Sequence, residues 1–135
     1  MSARDTYTGV GAVRILAVDD EPLILSSLRR YFALLGHHMT GARSAEEALG
    51  LVEDAQSFDL VLSDVEMPGM DGFTLRTTLL ARHPELPVLL VSGDSRAMEA
   101  AMVAGVPFLA KPWSLEELEA ALRRLHTGFR AILGT

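Results

Sequence analysis

Four short segments of the sequence carry side chains whose types could do chemistry together. The run Asp19-Asp20-Glu21 and Asp64 supply carboxylates, Ser92 supplies a hydroxyl and Lys111 supplies an amine. A carboxylate can act as a nucleophile toward phosphorus and form an aspartyl phosphate. That transfer requires positive charge at the phosphoryl oxygens, which a divalent cation and a lysine would provide. These residue types therefore point to phosphoryl chemistry, provided that the fold brings them together.

The acidic run at residues 19–21 has two interpretations. Asp19 or Asp20 could cap a helix that begins near Pro22, because Asp is a preferred N-cap residue. A cap needs only one carboxylate, however, and adjacent acids repel one another. A hard cation such as Mg²⁺ would relieve that repulsion, since proteins hold it with one or two carboxylates plus waters and phosphate oxygens. The same acids argue against a nucleotide or flavin phosphate, which would require glycines and backbone amides at this position.

Each of the remaining residues also has an ordinary structural interpretation. Asp64 could open a turn, Ser92 could be a cap or turn hydroxyl, and Lys111 could be a solvated surface residue. The Asp71-Gly72 pair even resembles a hairpin turn, although the segment after it has a helical pattern. Lys111 is the single lysine among twelve basic residues, which favours a specific use for an amine there. The structural interpretations become improbable as a set if all these residues lie at one end of one sheet.

Short apolar runs alternate with amphipathic segments along the chain. Runs rich in Val, Leu, Ile or Phe predict buried strands at residues 13–18, 59–63, 87–91 and 107–110, and residues 38–42 predict a more polar edge strand. Helical stripes lie between them, and the clearest contains Leu115, Leu118, Leu122 and Leu125. Capping boxes at residues 44–47 and 114–117 predict helix starts, and glycines at positions 36 and 105 are typical of helix ends.

Five successive strand–helix units predict an α/β fold. The simplest arrangement is a doubly wound five-stranded parallel sheet, (βα)5 and flavodoxin-like, with strand order 2-1-3-4-5. Ligand sites of this architecture lie outside the carboxyl ends of the strands. The acidic run follows the first strand, Asp64 the third, Ser92 the fourth and Lys111 the fifth. The predicted fold therefore gathers the chemically active side chains at one edge.

Length and composition exclude several other classes of protein. A chain of 135 residues that is 49% hydrophobic and 22% charged is typical of one globular domain. The absence of cysteine excludes disulfide frameworks, thiolate metal sites and cysteine nucleophiles. A formal net charge of −6 argues against direct binding to nucleic acid or to an anionic membrane. No segment is typical of a membrane span or a targeting signal, so we expect a cytoplasmic protein.

Three motifs occur together in this order. They are Ile15-Leu16-Ala17-Val18-Asp19-Asp20-Glu21-Pro22, the loop Asp64-x-x-Met67-Pro68-Gly69-Met70-Asp71-Gly72, and Lys111-Pro112. With them, the sequence resembles the receiver domain of two-component response regulators over residues 13 to 125. That resemblance predicts an N-terminal extension at residues 1–12, a receiver domain at residues 13–126 and a C-terminal tail at residues 127–135.

The resemblance implies a phosphoacceptor and a metal site. Asp64 matches the phosphoacceptor, which takes its phosphate from a phosphohistidine on a sensor histidine kinase or a phosphotransfer protein. Asp20, Asp64 and the backbone carbonyl of Glu66 match direct ligands of Mg²⁺. Asp19 would lie beside the ion or one layer further out.

The resemblance also implies a switch. Lys111 would pair with the phosphoryl group, and the peptide bond between Lys111 and Pro112 would be cis. Ser92 and Phe108 match the hydroxyl and aromatic switch positions of the family. A signal from Ser92 through Phe108 would alter the face formed by helix 4 (residues 95–104), strand 5 and helix 5 (residues 114–125), which would bind an effector or a second copy of the chain.

We therefore expect a signalling switch that acts only on its own phosphorylation and dephosphorylation, not an enzyme with a separate substrate. A Mg²⁺-dependent phosphohydrolase with an aspartyl nucleophile is one alternative, but those enzymes place two acids one residue apart (Asp-x-Asp), whereas Asp19 and Asp20 are adjacent. A phosphorylation-independent interaction module on the same fold is the other. Such a module would usually have lost Asp64, Lys111 or the acid pair.

Overall fold

A single parallel sheet organises the chain, in a computed structural model that describes residues 12–54 and 57–129. Its strands are β1 (Arg14–Val18), β2 (His38–Ala42), β3 (Leu60–Asp64), β4 (Val88–Ser92) and β5 (Phe108–Ala110). Within the described residues they form one five-stranded sheet in the order β2-β1-β3-β4-β5. This confirms the predicted doubly wound, flavodoxin-like fold.

The helices connect successive strands. They are α1 (Pro22–Leu34), α2 (Ala45–Glu53), α3 (Gly72–Arg82), α4 (Ser95–Ala104) and α5 (Leu115–Leu125). Both predicted capping residues begin helices: Ser44 accepts a hydrogen bond from the Glu47 amide, and Ser114 forms the full reciprocal capping box with Glu117. Gly105 ends α4 with a φ of 70°, a conformation that favours glycine.

The sheet is buried on both faces because helices cover each side. Every residue of β3 and β4 is buried, as expected for strands without a solvent face. Alternate strand residues join two separate core clusters, one beneath α1 and α5 and the other beneath α2, α3 and α4. Burial of each large aliphatic side chain stabilises the fold by about 1.5–3 kcal/mol. Successive residues along a strand point to opposite faces of the sheet, so each residue's position in the strand decides which of the two helix layers it contacts.

Two predicted strand ends differ from the structure by one residue. β3 runs to Asp64 and β4 to Ser92, whereas the apolar runs predicted that these residues would follow the strands. The backbone of Val65 still donates a hydrogen bond to the Val91 carbonyl at 2.9 Å, which extends the pairing of β3 and β4. Both polar side chains therefore stand on rigid strand ends.

The predicted stripe of α5 is correct at Leu118 and Leu122, which are buried. Leu115 lines the same groove as Leu118 but is 46% exposed. Leu115 is the first residue of the helix and borders an apolar groove between α1 and α5, so its side chain lies at the rim of the packed interface.

The third residue of the predicted C-terminal tail, Phe129, belongs to the core. Phe129 is 4% exposed, stacks on His37 with ring centres 4.6 Å apart and meets Phe32 edge-on at 6.1 Å. Residues 1–11 and 130–135 lie outside the described residues, so the domain limits at 12 and 126 stay predictions. No helix in the described part of the chain is both long enough and apolar enough to cross a membrane.

Candidate functional site

Three carboxylates meet at the carboxyl end of the sheet. Asp19 follows β1 directly and is buried, Asp20 comes next and is half-buried, and Asp64 is the buried last residue of β3. One carboxylate oxygen from each lies within 4.8 Å of the others. β1 and β3 are paired neighbours in register, so the topology itself brings these acids together.

The acids do not serve as helix caps. The residue at the start of α1 is Glu21, which makes no side-chain capping bond, and Pro22 occupies the first turn, where a missing N–H is tolerated. Asp19 accepts a hydrogen bond from the Glu21 amide at 2.9 Å, within the loop. The capping interpretation of Asp19 and Asp20 is therefore wrong.

Lys111 reaches the acids from the end of β5, with β4 lying between β5 and β3 in the sheet. Its Nζ lies 3.3 Å from Oδ1 of Asp64 and 3.8 Å from Oδ2 of Asp19. The side chain is only 31% exposed, so the solvated-surface interpretation is wrong. The backbone of Lys111 donates to the Ser92 carbonyl at 2.9 Å, and its bond to Pro112 is cis, as the resemblance implied.

The electrostatic balance at Asp64 opposes its ionisation. Burial raises the pKa of this carboxyl, the nearby ammonium of Lys111 lowers it, and the charges of Asp19 and Glu66 raise it again. The net effect is a pKa above the ordinary value. Three carboxylates face the single ammonium of Lys111 in this cluster, so its charges would favour an additional cation.

The donor atoms suit a hard divalent cation. All three acids offer carboxylate oxygen, and oxygen ligands are those that Mg²⁺ takes in proteins. The residues present at the site therefore fit the metal that the sequence predicted.

Ser92 and Glu66 form a contact that sequence reasoning missed. The Ser92 hydroxyl donates to the Glu66 carboxylate, with oxygen–oxygen distances of 2.7 and 2.8 Å, and accepts from the Asp94 amide at 2.9 Å. Glu66 was predicted to act through its backbone carbonyl alone. The available signal was an acid placed two residues after Asp64, in the loop beside the fourth strand.

The loop after β3 connects a strand to a helix, so the hairpin interpretation is wrong. Asp71 caps α3 by accepting from the Thr74 amide at 2.9 Å. A Cβ at Gly72 would lie 2.4 Å from the Asp64 carbonyl oxygen, so only glycine fits there. The backbone amide of Met70 donates to the Glu46 carboxylate of α2 at 3.3 Å. This hydrogen bond connects the loop to α2.

The predicted switch face is partly apolar and exposed. Phe108 of β5 is half-buried against the core cluster beneath α2, α3 and α4. On α4, Met98, Met102 and Val103 are exposed, whereas Ala101 is fully buried. Ala101 is thus a core residue, and the two methionines are available at the surface.

Comparisons with known proteins identify the family of the chain. The family model described as the response regulator receiver domain matches residues 15–123. The chain is 37% identical over 110 residues to the response regulator protein FleR of Pseudomonas aeruginosa, covering 79% of this chain and 23% of that protein. It is 38% identical over 111 residues to the two-component response regulator ARR12 of Arabidopsis thaliana, covering 79% of this chain and 18% of that one.

The fold has solved counterparts as well. The crystal structure of the response regulator TrrA from Thermotoga maritima, in complex with Mg²⁺-BeF, superposes with a TM-score of 0.76 at 27% identity, covering 84% of this chain and 98% of that one. The chain therefore belongs to the response regulator receiver domain family, and it is a receiver of two-component signal transduction. It spans less than a quarter of the length of the curated relatives it matches.

Proposed function

We propose that this chain accepts a phosphoryl group on Asp64, from a phosphohistidine of a sensor histidine kinase or phosphotransfer protein, and changes conformation in response. The observation that carries the proposal is the ammonium of Lys111, 3.3 Å from Oδ1 of Asp64, in a pocket that Asp19 and Asp20 complete. This arrangement supports a nucleophilic carboxylate that has beside it an ammonium and a set of cation-binding acids, both of which an aspartyl phosphate requires.

The transfer is a displacement at phosphorus. An Asp64 oxygen forms the new O–P bond, the P–N bond of the donor breaks, and the imidazole leaves with the electron pair. Mg²⁺, held by Asp20, Asp64 and the Glu66 carbonyl with Asp19 beside them, would neutralise charge on the phosphoryl oxygens. Lys111 moves from a carboxylate partner to a phosphoryl partner, which keeps its ammonium paired throughout.

The signal leaves the site through Ser92. A phosphoryl group adds about 1.5 to 2 negative charges and new acceptor oxygens, which attract the Ser92 hydroxyl. Movement of Ser92 opens space beside β5 that Phe108 fills by changing rotamer. The affected face is α4, β5 and α5, where Met98 and Met102 can repack against an effector or a second copy of the chain.

The proposed protein is a switch rather than an enzyme with its own substrate, and it works in the cytoplasm without contacting nucleic acid directly. The phosphohydrolase alternative requires turnover of a separate phosphomonoester. Repeated release of phosphate from p-nitrophenyl phosphate by the purified chain would favour that alternative over the switch.

The test is mass measurement after incubation with acetyl phosphate and Mg²⁺. We expect one phosphate adduct on the wild type, none on Asp64→Asn, and loss of labelling in Asp20→Asn or with a chelator. Asp59→Asn is the matched control, because Asp59 precedes the other end of β3 and binds the Arg14 amide there. Labelling of Asp64→Asn at the wild-type level would overturn the assignment.

A further inference from the structure

We propose that the Glu66 carboxylate holds the Ser92 hydroxyl in the resting state, so that a phosphoryl group on Asp64 must displace Glu66 before Ser92 can respond. This inference rests on the proposed function. It makes Glu66 a positioning residue that acts through Ser92 and sets how readily phosphorylation is converted into a conformational change.

The single donor position of the Ser92 hydroxyl is already occupied in this structure. The hydroxyl has a single proton to donate, and that proton is directed to Glu66, whose two carboxylate oxygens lie 2.7 and 2.8 Å from Oγ. One of its acceptor positions is used by the Asp94 amide at 2.9 Å. Because Ser92 is only 1% exposed, solvent does not offer it another partner. A group on Asp64 can therefore gain the hydroxyl only if Glu66 gives it up.

Charge favours this exchange once Asp64 is phosphorylated. Glu66 and the phosphoryl group are both anionic, so they repel one another while they compete for the same proton. Glu66 belongs to an exposed loop position, so its carboxylate can turn into water, where it stays hydrated. Ser92 is buried and has no such alternative, so it follows the phosphoryl group instead.

The resting contact should weaken the binding of a phosphoryl mimic. A ligand that requires a minor conformation binds with an affinity reduced by the population of that conformation. Removal of the Glu66 carboxylate should raise this population and tighten binding. In a Ser92→Ala background there is no hydroxyl for Glu66 to hold. Removal of the Glu66 carboxylate should therefore change the binding of the mimic much less in that background.

The experiment is calorimetric titration with beryllium fluoride in the presence of Mg²⁺, on the whole chain. The variants are Glu66→Ala, Glu66→Gln, Ser92→Ala and the double variant Glu66→Ala with Ser92→Ala. We expect Glu66→Ala to tighten binding about 3- to 10-fold, with Glu66→Gln intermediate because its amide oxygen still accepts a hydrogen bond. Glu85→Ala is the control, since it removes one exposed acid before β4, at the opposite end of the sheet.

The comparison between backgrounds decides the inference. The gain from Glu66→Ala should be at least about threefold larger in wild type than in Ser92→Ala. An equal gain in both would mean that Glu66 acts only by its charge through space, and the inference would be overturned. The Asp94 amide resonance provides a second readout, because its partner is the Ser92 hydroxyl; we expect it to shift in Glu66→Ala before any ligand is added.

Failure of the proposed function has a different signature. If the wild type neither binds beryllium fluoride nor becomes labelled by acetyl phosphate, the phosphoacceptor assignment fails and the role of Glu66 fails with it. If the wild type binds and labels normally while the two backgrounds show no coupling, the role of Glu66 alone is wrong. Thermal melts of each variant confirm that the comparison is made between folded chains.

Discussion

Asp64, the proposed phosphoacceptor, lies in an environment that disfavours its charged form. It stands on the last position of β3, is buried, and shares its surroundings with the carboxylates of Asp19 and Glu66. Lys111 compensates part of this charge. The fold thus holds the carboxylate where it is less stable than in water, and cation binding or phosphorylation can relieve that repulsion by adding partners.

The first prediction concerns stability and pH. The pKa of Asp64 is raised above the ordinary value of 3.8, so the folded chain binds this proton more tightly than the unfolded chain. The free energy of unfolding therefore falls as the pH rises from the ordinary pKa, which applies to the unfolded chain, to the higher pKa of the folded chain. Asp64→Asn cannot ionise, and without divalent ions we expect its Tm to exceed that of the wild type at neutral pH, because the variant carries no buried charge at this position.

Melting curves between about pH 4 and pH 7 would check this. The difference in Tm should widen as the pH rises, and added Mg²⁺ should narrow it by stabilising the wild type. A difference that stays constant with pH would show that the stabilisation does not come from ionisation of Asp64.

The second prediction concerns the shape of the cation at position 111. Lys111→Met should slow labelling by acetyl phosphate at least about tenfold, and Lys111→Arg should not restore it, because a planar guanidinium does not replace a compact ammonium. Arg96→Met is the matched control, since Arg96 is exposed and pairs only loosely with Asp94, at 3.7 Å. Time courses of labelling, followed by mass measurement, would show the difference. Labelling of Lys111→Arg at the wild-type rate would contradict the prediction, because it would mean that any positive charge at position 111 is sufficient.

Among the elements, the loop between β3 and α3 does most to shape the site. Asp71 caps α3, and Gly69 adopts a φ of 80°, which favours glycine. Gly72 passes so close to the backbone of Asp64 and Val65 that no side chain fits. The start of α3 is thus held against the strand end that carries the phosphoacceptor candidate.

The third prediction tests this close approach. In Gly72→Ala the new Cβ would lie 2.4 Å from the Asp64 carbonyl oxygen and 2.9 Å from the Val65 Cα. Because both neighbours are backbone atoms, the strand end must move, and we expect a loss of about 2–3 kcal/mol in the free energy of unfolding. Gly50→Ala is the control: it lies within α2 with open space around it, and should gain about 0.5–1 kcal/mol. Urea unfolding of both would settle it; equal stabilities would contradict the close packing.

At the scale of the whole molecule, the candidate site and the histidines occupy different parts of the fold. The carboxyl ends of the strands carry the acids, Ser92 and Lys111. The four histidines lie elsewhere: His37 and His38 stand at the amino end of β2, and the other two follow the ends of α3 and α5. Phe129 closes the same region by stacking on His37. The described part of the segment after α5, residues 126–129, therefore packs against the domain through Phe129.

The fourth prediction tests the contribution of that segment. Phe129→Ala should lower the free energy of unfolding by about 3 kcal/mol, because it removes a ring that is 4% exposed. Leu34→Ala, at a residue that is 80% exposed, should change it by less than about 0.5 kcal/mol. Denaturant unfolding gives both values. A cost for Phe129→Ala no greater than that of Leu34→Ala would mean that the ring is not part of the stable core.

The sequence alone determined the fold and most of the site. Apolar runs that alternate with amphipathic segments specify a parallel sheet covered by helices, since strands without a polar face must be buried on both sides. Parallel strands all end at one edge, so the order of the motifs was enough to predict that Asp19, Asp20, Asp64, Ser92 and Lys111 would meet. These inferences depend only on periodicity and chain order.

The tertiary structure decided which side chains touch across loops. The hydrogen bond from Ser92 to Glu66, the contact of Gly72 with the Asp64 backbone, and the packing of Phe129 on His37 all join segments that are far apart in sequence or separated by a loop. Periodicity reports which face of an element is buried, but it carries no information about where a loop places its side chains. Distances of a few tenths of an ångström decide hydrogen bonds and steric clashes, and only the packed arrangement of the elements sets them.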